Sequence, residues 1–425
     1  MSARPCPGLA DLAAFVSGDG APGVATHVDA CDPCSRRVAV ARRALEANLT
    51  SAAVAAAGEE IEALLGELLA RPQKERERLA LKDRFARAAL AHRFCSLATS
   101  EWERDLNAAL DHIHVATIIA SRLASRGERA AELEFEAWKH RSTIHRKRGE
   151  CDAARAALTR AAAAIDHCTD RELKRAVVAY ADAAICASRD VWEPQQAIAL
   201  LMRCEAVFRR RDPSRHRDAR TLRGIVHLHA GEYEDAHRIF SAVAADTDPI
   251  DESAYADAHR NLANSLIRLG RLDEADQLLK VTRALDDRLK RSLHVVRDDA
   301  LAAIALDVAG RYAAAADAYQ QVGKRFIAAG ERESGLLAGV ASAVALVAAS
   351  RPAEARIVLQ GLLTTDVASS SERRRFTAEA LAYLRELAER EQLTPDVATG
   401  VGLYIDRIHV QRARPFVPPM SPLTM

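Results

Sequence analysis

The residues best suited to chemistry lie near the start of the chain, where His27, Cys31 and Cys34 form an H-x3-C-x2-C pattern downstream of Cys6. If His27 and Cys31 share a helix, their i,i+4 spacing places both side chains on one face. Pro33 would then end that helix between the two last cysteines. Three thiols and one imidazole make up the Cys3His set of structural zinc sites. The pattern therefore predicts a zinc site formed by Cys6, His27, Cys31 and Cys34.

Two other interpretations of these residues stay open. A C-x2-C pair can be a redox dithiol, although such pairs usually occur within a βαβ pattern, which the surrounding sequence lacks. Cys6 could also be a free thiol beside a three-ligand metal with an open, catalytic position. Zinc and redox chemistry are compatible, because oxidation of zinc-bound thiolates releases the metal.

The same stretch resembles a known family, the zinc-binding anti-sigma domain. In that family a cysteine precedes a first short helix and H-x3-C-x2-C lies on a second one. Here Cys6 precedes the stretch Leu9–Val16, and after a short loop the pattern follows at His27–Cys34. The resemblance covers residues 1–38 and implies structural zinc, a sigma factor as partner, and a possible redox response.

Composition favours a globular, all-helical protein. Hydrophobic residues make up 49% of the 425 residues, charged residues 28% and aromatic residues only 4%, and a chain rich in alanine packs helices more readily than strands. The net charge of +1 gives no reason to expect a nucleic acid or an anionic membrane as partner.

The remaining features predict a cytoplasmic protein. The residues Met1–Pro5 lack the apolar core of a secretion signal. The apolar segment Ser334–Ser350 is short for a membrane span and is rich in alanine, so it is interpreted as a buried helix. The cysteines outside the zinc motif suggest no disulfide framework; they are Cys95, Cys151, Cys168, Cys186 and Cys204.

A repeat of about forty residues fills the body of the chain. Each copy contains a turn, usually Gly-x-Tyr/Leu-x-x-Ala, and the equivalent alanines are Ala154, Ala197, Ala236, Ala275, Ala315 and Ala355. A second set of small residues precedes the turns and consists of Ser142, Gly224, Ala263, Ala303 and Ala343. The pattern resembles the tetratricopeptide repeat, in which a small residue on helix A lets helix B pack closely and a glycine ends helix A. It predicts an α-solenoid of helical hairpins.

This pattern divides the chain into six segments. They are an anti-sigma-like zinc-binding domain at 1–38, a basic helix and Ala-rich linker at 39–60, a helical first part of the solenoid at 61–127, tetratricopeptide-like repeats at 128–365, capping helices at 366–410, and a disordered tail at 411–425.

No enzyme is predicted, because the sequence contains no glycine-rich phosphate loop, G-x-S-x-G elbow or H-E-x-x-H motif. Arg260, Asn261 and Asn264 could hold a peptide carboxylate, but the matching positions of neighbouring repeats are mostly apolar. The groove is therefore expected to be apolar or closed. Asp286-Asp287 and Asp298-Asp299 are interpreted as solvated faces or helix-end charge.

The densest charge run extends from Arg209 to Arg223. It could bind a phosphate backbone or an acidic partner, but a polar loop between two repeats is the favoured interpretation.

Together these features predict a cytoplasmic bacterial regulator that binds a protein partner, most plausibly a sigma factor, through its zinc domain, with the repeats as interaction scaffold. The alternative is a tetratricopeptide assembly scaffold in which zinc is purely structural.

Overall fold

The computed structural model describes residues 6–7, 22–31, 34, 38, 58–102, 104–125, 130–188, 191–363, 372–410 and 416–418. Throughout these ranges the regular structure is helical, and no strand occurs in them. The predicted all-α fold is confirmed. Most of the linker 39–60 and of the tail 411–425 lies outside the described residues.

The chain separates into two compact units, one formed by 1–100 and 111–133 and the other by 101–110 and 134–425. Five α-helical stretches of the described residues before position 131 are labelled here. In chain order, α1 to α5 are Pro22–Ala30, 58–69, Gln73–Ala80, Ala88–Glu101 and Leu106–Ser125.

The second unit contains the repeats as consecutive helical hairpins. The six hairpins are α6 (Ala131–Lys147) with α7 (Cys151–Ala164), α8 (Arg171–Cys186) with α9 (Pro194–Arg211), α10 (Pro213–Ala230) with α11 (Tyr233–Asp246), α12 (Glu252–Arg268) with α13 (Leu272–Arg288), α14 (Ser292–Val308) with α15 (Tyr312–Ala328), and α16 (Arg332–Ala348) with α17 (Pro352–Leu363). Two more helices follow, α18 (Glu372–Glu389) and α19 (Pro395–Val410). From α8 to α19 each helix packs against the next one in the sequence, and the predicted solenoid is confirmed.

The repeat alanines explain how the hairpins close. All six of them, from Ala154 to Ala355, have no exposed surface, because each lies in the first turn of a helix B that packs onto its helix A. The small residues of helix A serve the same contact. A Cβ on Gly224 would lie 2.5 Å from Cε1 of Phe240, a buried residue of helix α11. Glycine at 224 therefore makes room for this aromatic ring.

Glycine also ends helix A, as predicted. Gly149, Gly231, Gly270 and Gly310 all have positive φ, between 71° and 84°, which is the left-handed conformation of a helix C-cap. Ser350 takes the same position in the last hairpin with φ 60°. The turn thus keeps its geometry where the sequence departs from glycine.

The capping helices complete the apolar core of the last hairpin. Leu381 and Leu384 of α18 and Val401 and Ile405 of α19 are buried with Leu346 of α16. The apolar segment Ser334–Ser350 coincides with α16 as a partly buried solenoid helix. Within the part of the chain that the structure describes, no helix is long and apolar enough to cross a bilayer.

Candidate metal centre and solenoid cavity

The structure brings the four predicted ligands together. The sulfur atoms of Cys6, Cys31 and Cys34 and a ring nitrogen of His27 all lie within 4.8 Å of one another. Helix α1 carries His27, and Cys31 follows its last residue, Ala30. The predicted i,i+4 relation therefore places both side chains at the end of one helix.

The donor geometry suits a tetrahedral metal better than a disulfide. The Sγ atoms of Cys6 and Cys31 are 4.0 Å apart, whereas a disulfide requires about 2.05 Å. Two thiolates at 2.3 Å from one tetrahedral zinc ion would be about 3.8 Å apart. The Nε2 atom of His27 is buried and has no hydrogen-bond partner among the described residues. This nitrogen could therefore act as a metal ligand without giving up a hydrogen bond to those residues. These four residues could hold a metal ion.

The electrostatics of the group depend on a cation. Burial, together with hydrogen bonds to Cys31 and Cys6, raises the pKa of the Cys34 thiol to about 11. Three thiols in one small site cannot all ionise unless a positive charge is present. A divalent cation supplies that charge and binds the thiolates as ligands.

Apolar side chains among the described residues pack beside the cluster. Val28, Cys34 and Val38 are buried together, with Val24 and Cys31 packed against them. Two of the four possible ligands, Cys31 and Cys34, thus belong to this apolar group.

A second group of possible ligands has a simpler explanation. His227, Glu232 and Asp235 also lie within 4.8 Å of one another, but the imidazole of His227 bonds to Glu232. The first hairpin repeats this contact, with 2.6 Å between Nδ1 of His145 and Oε2 of Glu150. Both pairs follow an H-x3-G-E pattern that sequence analysis did not single out. The pair bridges the end of helix A to the turn.

Arg260, a possible contact for a peptide carboxylate, is instead paired within the chain. Its guanidinium is buried and donates to three aspartates, through Nε to Asp298 at 2.6 Å, through Nη1 to Asp257 at 2.6 Å, and through Nη2 to Asp286. Asp286 and Asp298 are only 0% and 2% exposed, so the interpretation of these two carboxylates as solvated charge is wrong. Asp257 shares α12 with Arg260 and Asp286 lies on α13 of the same hairpin, whereas Asp298 lies on α14 and meets Arg260 only because adjacent repeats stack.

The basic run is helical and paired. Only Asp212 separates α9 from α10, so the expected polar loop is wrong: Pro213 starts a new helix where the old one ends. The carboxylate partners of the run come from its own and neighbouring helices, and the ion pairs are Arg210–Glu172, Arg211–Asp170, Arg215–Asp212, Arg217–Asp251, Arg220–Asp246 and Arg223–Glu205. This pairing neutralises much of the charge that a phosphate backbone would need.

A cavity of about 380 Å³ lies among α12, α14, α15, α16 and α19 of the second unit. Its wall is largely apolar and includes Ile304, Val322, Phe326, Val340 and Val344. The expected apolar groove is thus present, with α19 forming one of its walls. Pockets of this size that carry a few polar groups are typical small-ligand sites.

Three charged residues and a tyrosine also line this cavity, namely Arg268, Asp307, Asp406 and Tyr319, together with the hydroxyl residues Ser334 and Thr399. Burial raises the pKa of the Asp307 carboxyl, and the neighbouring charge of Arg268 opposes that shift. Burial and the charge of Asp307 raise the pKa of the Tyr319 hydroxyl, which therefore stays neutral.

Fold and site together define an α-solenoid of tetratricopeptide-like hairpins in a chain that also carries a Cys/His group able to hold a metal. The family model described as "Tetratricopeptide repeat" matches residues 227–289, the region of α11, α12 and α13. No curated protein sequence matches the chain.

Solved structures resemble the chain in fold. Aspartyl phosphate phosphatase F from Bacillus subtilis is similar with a TM-score of 0.53 and 12% identity, over 85% of this chain and 96% of that one. The apo form of RapI gives 0.48 and 13%, over 81% and 98%. A Rap protein complexed with Competence and Sporulation Factor gives 0.45 and 12%, over 82% and 99%. At these identities the likeness concerns the fold alone.

Proposed function

We propose that the chain is a cytoplasmic bacterial regulator with two binding modules. The first module holds zinc through Cys6, His27, Cys31 and Cys34 and binds a protein partner, a sigma factor. The helical repeats act as the scaffold that extends this contact or recruits a second protein. Neither module is assigned a catalytic role.

The observation that carries the zinc assignment is the convergence of four zinc-type donors within 4.8 Å. Cys3His is a closed, structural ligand set without an open position for substrate. The unpartnered Nε2 of His27 supports a four-ligand site over a site made of three thiols alone. Bound zinc would hold the end of the short helix α1 against the segments that carry Cys6 and Cys34.

The sigma factor is supported by the resemblance of residues 1–38 to anti-sigma zinc domains, with His27, Cys31 and Cys34 as the matching positions. Protein binding by the repeats is supported by the tetratricopeptide match at 227–289, because such solenoids present extended surfaces to partners.

Affinity purification of the tagged full chain from its own cells, under reducing conditions, tests this proposal. Cys31→Ser removes a ligand, and Cys204→Ala is the matched control because Cys204 is a buried cysteine of α9 outside the cluster. A sigma factor should co-purify with the wild type and the control and be lost from Cys31→Ser. Identical partners for all three chains, or the absence of any sigma factor, would contradict it.

The alternative function is an assembly scaffold in which zinc is purely structural. The family match supports this alternative, because it falls on the repeats and not on the Cys/His group. Deletion of residues 1–45 distinguishes the two. Partners that bind equally well after the deletion belong to the scaffold, whereas partners that are lost belong to the zinc module.

A further inference from the structure

The cavity among α12, α14, α15, α16 and α19 contains polar groups that the protein itself does not pair. Tyr319 is 6% exposed, and its hydroxyl makes no hydrogen bond with any residue that the structure describes. Arg268, Asp307 and Asp406 likewise form no side-chain hydrogen bond or ion pair within the described ranges. Elsewhere in the solenoid such charges are paired across repeats, as the Arg260 network illustrates.

These groups line the same cavity. The charges of Asp307, Arg268 and Asp406 all act on the Tyr319 hydroxyl, and Arg268 also acts on Asp307. Arg268 and Asp406 are exposed, Asp307 is half-buried and Tyr319 is buried.

The remainder of the cavity wall is largely apolar. Val322, Phe326 and Val340 are buried residues of its wall. Two further lining residues, Val308 and Leu403, leave 47% and 51% of their surface in solvent. An apolar body would bury this surface.

Helix α19 restricts what can enter. Thr399, Gly402, Leu403 and Asp406 of this helix line the cavity, and a Cβ on Gly402 would lie 2.9 Å from Cγ2 of Val344 in α16. Helix α19 therefore occupies the part of the groove beside Val344. A long extended peptide would have to displace it, whereas a small molecule would not.

We infer that this cavity binds a small zwitterionic ligand of the class of large hydrophobic α-amino acids. The carboxylate would pair with Arg268, the ammonium with Asp307 or Asp406, and the side chain would fill the apolar interior. The Tyr319 hydroxyl would hydrogen-bond the polar end. This site is independent of the metal centre and of the proposed protein partner.

The charge pattern selects a zwitterion over a singly charged ligand. An anion could pair with Arg268 but would face the carboxylates of Asp307 and Asp406. A cation could pair with those carboxylates but would lie beside Arg268. A ligand with both charges gives Arg268 an anionic partner and gives one of the two carboxylates a cationic partner, through charge-assisted hydrogen bonds of both signs.

The test uses four probes that share one apolar body: L-phenylalanine, phenethylamine, 3-phenylpropionate and the neutral 3-phenylpropanamide. Each is titrated into the full chain by calorimetry and by ligand-observed NMR up to about 5 mM, the affinity range expected for ligands of this size. L-phenylalanine should bind at least about 10-fold more tightly than the other three, because only it pairs both charges.

Three variants locate the binding. Tyr319→Phe should weaken L-phenylalanine binding about 5-fold through one lost hydrogen bond, whereas Tyr312→Phe on the same helix, outside the cavity, should not. Asp307→Asn and Arg268→Gln should each weaken it at least about 10-fold. Far-UV circular dichroism checks that each variant folds, and none removes a packed apolar group.

Three results would overturn the inference. One is the absence of L-phenylalanine binding to the folded wild-type chain. Another is equal binding of the neutral amide, which would leave the charges without a role. The third is undiminished binding to both Asp307→Asn and Arg268→Gln, which would place the ligand elsewhere.

Discussion

Replacing Arg260 by methionine tests whether the stacking of repeats depends on a buried charge network. Arg260 is 8% exposed and donates through Nε to Asp298. The other oxygen of Asp298, Oδ2, is buried without a hydrogen-bond partner among the described residues. Arg260→Met therefore leaves the Asp298 carboxylate buried without its cation. Among the described residues, Asp286 would retain Arg291, whose Nε lies 3.4 Å from its Oδ1.

The magnitude follows from the cost of neutralising one stranded carboxylate. An aspartate with an ordinary pKa near 3.9 takes up a proton at pH 7 at a cost of about 4 kcal/mol, and at pH 5 of about 1.5 kcal/mol. Breaking a buried ion pair by removing one partner costs about 3–5 kcal/mol. We expect Arg260→Met to lower the free energy of unfolding by about 4 kcal/mol at pH 7.

The sign of the pH dependence is part of the prediction. A carboxyl that is protonated more readily in the folded than in the unfolded variant contributes stability at low pH, and this contribution is lost as the pH rises. The deficit of Arg260→Met relative to wild type should therefore shrink from pH 7 to pH 5.

Urea unfolding followed by circular dichroism at both pH values measures the effect. Arg288→Met is the matched control, because Arg288 is exposed and its ion pair with Glu252 at 2.7 Å is worth at most about 1 kcal/mol. A loss below about 1 kcal/mol for Arg260→Met, or a loss independent of pH, would refute the reasoning.

Glycine substitutions give two further tests by thermal or urea unfolding. Gly224→Ala should destabilise the fold by about 1–2 kcal/mol, because the overlap with Phe240 outweighs the gain in helix propensity. Gly361→Ala, where the added Cβ meets nothing within 4 Å, should stabilise it by up to about 1 kcal/mol; equal effects of the two would contradict the close-packing role. Ser350→Gly should stabilise the fold by about 1 kcal/mol, because it relieves a left-handed φ of 60° at a residue with a side chain. Gly231→Ala should destabilise the fold by a similar amount. Effects of the opposite sign would contradict the assignment of these residues as helix C-caps.

The repeat could be predicted from sequence because its signals are local. The buried alanines from Ala154 to Ala355 and the turn glycines repeat at a fixed period, and each acts within its own hairpin. Gly224 belongs to the same class, since its contact with Phe240 joins the two helices of one hairpin. The fixed spacing of these residues in the sequence therefore predicts the positions where the two helices of each hairpin pack together.

The errors arose where residues one repeat apart meet. Arg260 and Asp298 are 38 residues apart, and their pairing depends on how one hairpin stacks on the next. The sequence alone does not show whether Arg260, Asp286 and Asp298 face solvent or one another. The basic run that ends at Arg223 differs for a local reason, because Pro213 starts a new helix with only one residue between it and the end of the preceding helix at Arg211.

The metal centre and the cavity also differ in how far the sequence could predict them. His27, Cys31 and Cys34 lie close in the sequence, so their spacing alone indicated a common site. The cavity required α19 to return to α16, which brings Asp406 near Tyr319. Nothing in the spacing of Arg268, Asp307, Tyr319 and Asp406 could indicate that meeting.

The most direct test of the central claim is the zinc content of the chain, purified under reducing conditions without added metal and measured by mass spectrometry of the elements. We predict one zinc ion per chain in the wild type and in Cys204→Ala, and loss of the metal in Cys34→Ala. A wild-type chain without zinc, or zinc that stays bound in Cys34→Ala, would contradict it.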